Sequence, residues 1–333
     1  MSLKRINGKL HLALNNLDSL PAMPEIAHRL LALPLDTEDG EVQMLRLIGQ
    51  DPQLSARIIG LANAAALGLK RHTNSIHDAA MLLGLKRLKS VALGMATLST
   101  LSNQAATKNF DPQDLWSHSM TIAIVMNLLS QEMSEKIRPN ENMTFLAGLL
   151  HDIGLMALHH LDNEASDELH HQLRLQPKRP IQDIEIELIG ITHSHIGAQL
   201  VRHWNLPSEI VEVVALHHEP HAEKTAPPNL LILMVNIAER LLPDFGIAEH
   251  HSTAISDEEW RELGIDPARS SGLSALVNEV AMQIIQLPDP YVRTPTAPNN
   301  STQTGPQLTG QAKYSKALAP AKALAGWARK ILR

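Results

Sequence analysis

Apolar residues recur every three or four positions along almost the whole of this chain, and no segment sustains the period-two alternation of a half-buried strand. Such a pattern leaves helix packed on helix as the way to bury a core. Pro21-Ala22-Met23-Pro24 opens a stretch in which Ile26, Leu30 and Leu33 keep helical spacing, and Asp51-Pro52 reads as an N-cap followed by proline at the first helical position. Behind it Leu54, Ile58, Ile59, Leu61 and Ala62 hold the period until Gly68. Ser75 caps a helix with Ile76, Ala79, Ala80 and Leu83 on one face and Gly84 as its stop, and a longer helix follows over Leu85–Leu101. Asp111-Pro112 repeats the start signal ahead of Leu115, Ile122, Val125, Met126 and Leu129. Further helices are predicted over Thr144–Leu161, Ile181–Trp204, Ser208–His217, Asn229–Leu242 and Leu273–Gln286, including the short alternating piece Asp183–Leu188. The fold class expected is all-α.

With 333 residues the chain is long enough for about two domains. It has no cysteine, which excludes disulfides, thiolate metal sites and cysteine nucleophiles. No run of 18 apolar residues is present, and the start MSLKRINGKLHLAL lacks the apolar core of a secretion signal, so a cytoplasmic protein is expected. A formal charge of −6 with 3% aromatic residues argues against nucleic acid as a partner. Residues 288–310 contain five prolines among Thr, Asn and Gly, the composition of a linker. In residues 311–333 Tyr314, Leu318, Ala321, Leu324, Ala328 and Ile331 share one face of a basic amphipathic helix. Its six cationic residues suit docking onto the acidic body of the chain or weak contact with an anionic membrane surface, and a solvated tail is the simpler reading.

Histidine is the residue that points to chemistry. Of 18 histidines, 11 lie between His151 and His221. The segment Gly148–Gly154, GLLHDIG, sets His151 beside Asp152, an imidazole and a carboxylate that together suit Zn, Mn or Fe. His118 in LWSHSMTIA, His193 in THSHIGAQL and the pair His217-His218 in ALHHEP each lie within or beside an apolar helical run, where an unpartnered polar group is costly. Several such side chains on separate helices are what a metal site inside a bundle requires. The plainer reading of His151-Asp152 is a paired polar group in the core.

This constellation resembles the HD superfamily of metal-dependent phosphohydrolases, and within it the HDOD domain of bacterial signalling proteins. The likeness spans about residues 15–245: LPAMPEIAHRLLAL, DPQLSARIIGLANAAALG, SIHDAAMLLGLKRLKSVAL, LWSHS, FLAGLLHDIG and HSHIGAQLVRHWNLPSEIVEVVALHHEP follow in the family's order. It implies a helical N-terminal subdomain, residues 8–105, packed on an HD-like bundle, residues 106–287. It also implies His118, His151, Asp152, His193, His217 and His218 as metal ligands, with Asp152 anchoring the ion and serving catalysis if the site is active. The superfamily's last aspartate should fall in LILMVNIAERLL, where this chain has Asn236. Relatives that cleave cyclic di-GMP usually continue HDIG with lysine and carry GYP after HHE; here Leu155 follows, and the chain reads HHEPHAEKTAPP.

The resemblance therefore implies a regulatory protein acting through contacts with signalling proteins, without turnover, around a site that suits a divalent metal. Two other readings stay open: a metal-dependent phosphohydrolase of a nucleotide or other phosphoester, and a nucleotide or cyclic-dinucleotide sensor. Asp114, one turn before His118, is expected to be a surface or cap residue. His195, His203 and His221 are expected outside the ligand set, and His159-His160, His170-His171 and His250-His251 in polar surroundings. Met81, Met95, Met120 and Met126 are expected to fill the core, and Trp204 to anchor the turn before Pro207.

Overall fold

The start signals act as the sequence predicts. The Asp51 carboxylate accepts from the backbone N–H of Gln53 and Leu54, and Ser75 accepts from Asp78, so each helix begins with otherwise orphaned donors satisfied. Gly84 stops that helix at φ +80°, a conformation that favours glycine. The computed structural model describes residues 20–35, 37–63, 73–101, 105–220, 229–242 and 254–284. Among these, all regular structure is helical and no strand occurs.

In the first part, α1 (Glu25–Ala32), α2 (Glu38–Gly49), α3 (Pro52–Ala62) and α4 (Ile76–Leu83) gather around the long α5 (Leu85–Leu101). Leu30, Met44, Ile48, Leu54, Ile58 and Leu83 interlock there, so the stripe of Leu54, Ile58 and Leu61 is core. Met81 is not: it is 78% exposed, because α4 turns Ala79, Ala80 and Leu83 inward and leaves Met81 outside. Met95, Met120 and Met126 are buried as expected.

Helix α5 also packs on α7 and so joins this part to the second. That part comprises α6 (Pro112–Glu132), α7 (Glu141–Leu150), α8 (Ile153–Leu161), α9 (Asn163–Leu175), α10 (Ile181–Leu188), α11 (His193–His203), α12 (Ser208–Leu216), α13 (Leu230–Leu241), α14 (Asp257–Glu262) and α15 (Ser270–Ile284). Trp204, at the end of α11, donates its indole N–H to the Pro21 carbonyl at 2.8 Å, so it anchors the N-terminal segment as well as its own turn.

Two helices expected as continuous are broken, and both breaks build the site. Thr144–Leu161 divides into α7 and α8 at His151-Asp152, and Ile181–Trp204 divides into α10 and α11. The second break follows from Gly190, at φ +76°, and from Thr192, whose hydroxyl caps α11 by accepting from the His195 N–H. Helices α2, α9 and α14 form where no helix was expected. One histidine of each of two pairs assigned to polar surroundings also proves different: His159 and His170 are buried, each packed at a tilt against Phe110 with ring centroids 4.8 and 4.3 Å away. His250-His251, His221, the 288–310 linker and the 311–333 helix lie outside the described residues. No helix among the described residues is long and apolar enough to cross a membrane.

Candidate metal centre

The breaks serve one purpose, which is to bring helix ends together. Helix α7 ends at Leu150 with His151 as its C-cap, and Asp152 stands before the first residue of α8 without capping it, which leaves its carboxylate to other partners. Helix α8 crosses α11 where Gly154 meets Gly197, the nitrogen of Gly197 lying 2.9 Å from where a Gly154 Cβ would be. This close crossing sets His193, the first residue of α11, against Asp152. His217 caps the C-terminal end of α12, and His118 reaches in from the N-terminal half of α6.

Asp152 is the hub. Its Oδ2 lies 3.2 Å from His151 Nε2 and 3.5 Å from His118 Nε2, and its Oδ1 lies 3.3 Å from His217 Nε2 and 3.4 Å from His193 Nε2. His218 Nε2 completes the second side, 3.1 Å from His193 Nε2. The six residues singled out in the sequence thus come together in one cluster. Asn236 does not join it: its amide donates to the His217 carbonyl and its carbonyl accepts from Arg240. The carboxylate on α13 comes instead from Glu239, three residues on, whose Oε1 lies 2.9 Å from His151 Nε2 and 3.0 Å from His118 Nε2. The sequence reading does not single out Glu239, because the family resemblance points to position 236. The signal was an acid inside an otherwise apolar helical run, where only a partnered carboxylate survives burial.

Glu185 was missed as well. It is fully buried on α10, and its carboxylate accepts from His193 Nδ1 at 2.8 Å. His151 Nδ1 bonds the Gly148 carbonyl at 2.8 Å, and His217 Nδ1 bonds the carbonyls of Val213 and Val214. Each of these partners can only accept, so Nδ1 carries the hydrogen in all three rings and Nε2 is turned toward Asp152. Carboxylates and carbonyls behind imidazoles are the usual way a metal-binding histidine is oriented.

The buried charges shift one another. Burial alone would raise the Asp152 carboxyl, yet His151, His193 and His217 around it hold it well below the ordinary carboxylate range. Burial alone would lower His151, and Asp152 with Glu239 lifts it well above its usual value; Glu185 and Asp152 do the same for His193, and Glu239 with Asp152 raises His118. For His217 burial prevails and the ring stays neutral more readily. Both Asp152 oxygens and His151 Nε2 are sealed from solvent without a well-formed hydrogen bond among the described residues. Buried atoms of this kind are rare unless something else satisfies them. Two overlapping four-donor sets result, His118, His151, Asp152 and Glu239 on one side and Asp152, His193, His217 and His218 on the other, with all ligand atoms of each set within 4.8 Å of one another. Imidazoles and carboxylates in these numbers fit a divalent transition metal.

Asp114 is exposed and has Asp111 and Arg174 as its electrostatic neighbours, away from the cluster, as expected of a surface residue. His195 and His203 are exposed on α11.

The chain is similar to several solved structures. A HDOD domain protein of Geobacter sulfurreducens aligns with a TM-score of 0.69 at 23% identity, covering 85% of this chain and 99% of that one. A provisionally named signal transduction protein of Marinobacter aquaeolei VT8 aligns at 0.67 and 23%, covering 85% of this chain and 66% of that one. A protein of Shewanella amazonensis SB2B, provisionally named a metal-dependent phosphohydrolase, aligns at 0.58 and 20%, covering 85% and 99%. These likenesses bear on the fold. Among curated proteins, an uncharacterized protein of Treponema pallidum (strain Nichols) is 22% identical over 236 residues; the match covers 69% of this chain and 45% of that relative's length. The model of the HDOD domain matches residues 20–220, more than half of the sequence, and the chain belongs to the HDOD domain family.

Proposed function

We propose that this protein is a regulatory module that works by contact with other signalling proteins and carries a divalent cation, Fe, Mn or Zn, as an internal clip rather than as a catalyst. The supporting observation is closure. Structural metal sites fill their coordination with protein donors, whereas catalytic ones keep a position open for water or substrate. Here each side has four protein donors, and of all of them only His218 is partly exposed. His118, His151, Asp152 and Glu239 on one side, and Asp152, His193, His217 and His218 on the other, would hold the ion; Glu185, Gly148, Val213 and Val214 fix how three of the rings face it. When bound, such an ion supplies Lewis acidity and a lowered pKa for any water it holds.

One observation favours the phosphohydrolase reading as an alternative: Asp152 turns one oxygen to each donor set, the placement of a carboxylate shared by two metals. The reaction would then depend on entry past His218.

The discriminating experiment is elemental mass spectrometry on full-length protein purified without a metal column or chelator, followed by assays with bis(p-nitrophenyl) phosphate and cyclic di-GMP. Near-stoichiometric metal that is lost in Asp152→Ala, together with no hydrolysis of either compound, is the expected result. Hydrolysis that Asp152→Ala abolishes would overturn it in favour of the enzyme. Metal below about a tenth of an equivalent, even after incubation with Zn²⁺, Mn²⁺ or Fe²⁺, would remove the clip. Calorimetric heat on adding cyclic di-GMP without turnover would instead mark a sensor.

A further inference from the structure

Beyond residue 220, where the family match ends, α13 and α14 are wired to the histidine pair by a continuous chain of polar contacts. The Asn236 amide donates to the His217 carbonyl at 3.1 Å, which holds the peptide joining His217 to His218. The Asn236 carbonyl accepts from Arg240 Nη1, one turn on, also at 3.1 Å. The Arg240 guanidinium then spans to α14: Nη1 lies 2.5 Å from Glu259 Oε1, Nη2 lies 3.1 Å from Glu259 Oε2, and Nη2 also bonds the Ala254 carbonyl. Glu259 is in turn the closing residue of the α14 capping box, where its carboxylate accepts from the Ser256 N–H and hydroxyl while Ser256 accepts from the Glu259 N–H. The Arg240 fork beside it, with both Ser256 donors, holds the Glu259 carboxyl at about 2, so it stays charged in any neutral medium. Trp260, next in line, is buried.

A planar fork gripping two oxygens is a directional link, unlike a lone surface ion pair. It also sits directly after Glu239, the carboxylate that serves the other side of the centre. We infer that Asn236, Arg240 and Glu259 are positioning residues for the metal centre, and that the docking of α14 and the binding of a cation at His217-His218 are coupled, each favouring the other. Asn236 thus steers the neighbouring ligands without being one of them. By linkage, whatever peels α14 away weakens the ion's hold, and filling the site tightens α14.

The inference rests on the proposal that the cluster holds a cation, and the test separates the two. Zn²⁺ is titrated into the full-length apo protein in competition with a chromophoric chelator, and hydrogen exchange of residues 254–262 is followed with and without Zn²⁺. Arg240→Met and Asn236→Ala should each weaken Zn²⁺ binding about tenfold, the size expected when an outer partner of a ligand is lost. Zn²⁺ should slow exchange in 254–262 of the parent and leave Arg240→Met unaffected. Combining the two substitutions should cost little more than either, because they cut one chain. Arg240→Lys, which keeps the charge without the fork, should restore little. Glu259→Gln serves if Arg240→Met does not fold, with the same expected loss. Zn²⁺ affinity unchanged in the folded variants, or exchange in 254–262 indifferent to Zn²⁺ in the parent, would overturn the coupling alone. A parent that binds neither Zn²⁺ nor Mn²⁺ nor Fe²⁺ would overturn the metal reading and this one with it.

Discussion

Replacing Gly154 by alanine tests the way the site is assembled. The new Cβ would lie 1.9 Å from the His193 carbonyl oxygen, 2.7 Å from its carbon and 2.9 Å from the Gly197 nitrogen. These are backbone atoms of α11, so no side chain can swing aside. Restoring ordinary contact requires α8 and α11 to separate by about 1.5 Å, since non-bonded atoms rest at roughly 3.5 Å. Overpacking of this kind costs about 3 kcal/mol, the upper end for inserting one carbon into a packed core. The same movement carries Asp152 away from His193, and metal ligands tolerate only about 0.2 Å of misplacement. The expected outcome is a urea midpoint lowered in proportion and metal retention after dialysis reduced by more than tenfold. Gly60→Ala is the matched control. Its Cβ would meet nothing within 4 Å, so the helix-propensity gain of about 0.5–1 kcal/mol should raise the midpoint. Parent-like stability and full metal content in Gly154→Ala would refute the argument that this crossing sets the ligands.

Three further outcomes are expected. His170 is forced down to about 4 by burial, so above its ordinary value near 6.5 it contributes fully to stability; from there to about pH 4 the unfolded chain binds the extra proton and up to roughly 3 kcal/mol is lost. His170→Leu should flatten that part of the pH profile of the denaturation midpoint, and an unchanged slope would contradict the assignment. Glu185→Gln keeps a hydrogen-bond acceptor for His193 and removes the charge, so metal affinity should fall about 10-fold with secondary structure by circular dichroism retained; equal affinity would mean that Glu185 does not tune the ring. Trp204→Phe removes the bond to the Pro21 carbonyl and should cost about 1 kcal/mol while speeding limited proteolysis near residue 21, whereas parent-like cleavage would show that packing alone holds the segment.

Helices were legible wherever a cap and an apolar stripe coincided, as at Asp51-Pro52 and Ser75. They were misjudged where helix-forming residues run across a turn. Ile181–Trp204 looked continuous because its apolar residues stay in phase, although Gly190 and Thr192 mark the break. The acids of α10 show the limit more sharply. Asp183, Glu185 and Glu187 look alike in sequence, yet the 3.6-residue period turns Glu185 inward with Ile184 and Leu188 while Ile186 is 55% exposed. Only that period distinguishes the acid that serves a histidine, and the apolar Ile186 on the outer face obscures it. The histidines could be named because a polar ring inside an apolar run needs a partner, and Glu239 carries the same signal, but which rings it serves shows only once α13 lies against α6 and α7.

The donors on the His118 side are attached at positions as far apart as 118 and 239, on helices that pack against one another with almost no exposure. An ion in such a place has no short way out: its ligands cannot be shed one at a time into water, because each is fixed to a packed helix. If the centre holds an ion, its release would wait for the bundle to part, and the rate would be bounded by that opening rather than by the strength of any coordination bond. A chain built this way would keep the metal it received on folding, and would record the supply at its synthesis instead of following later changes.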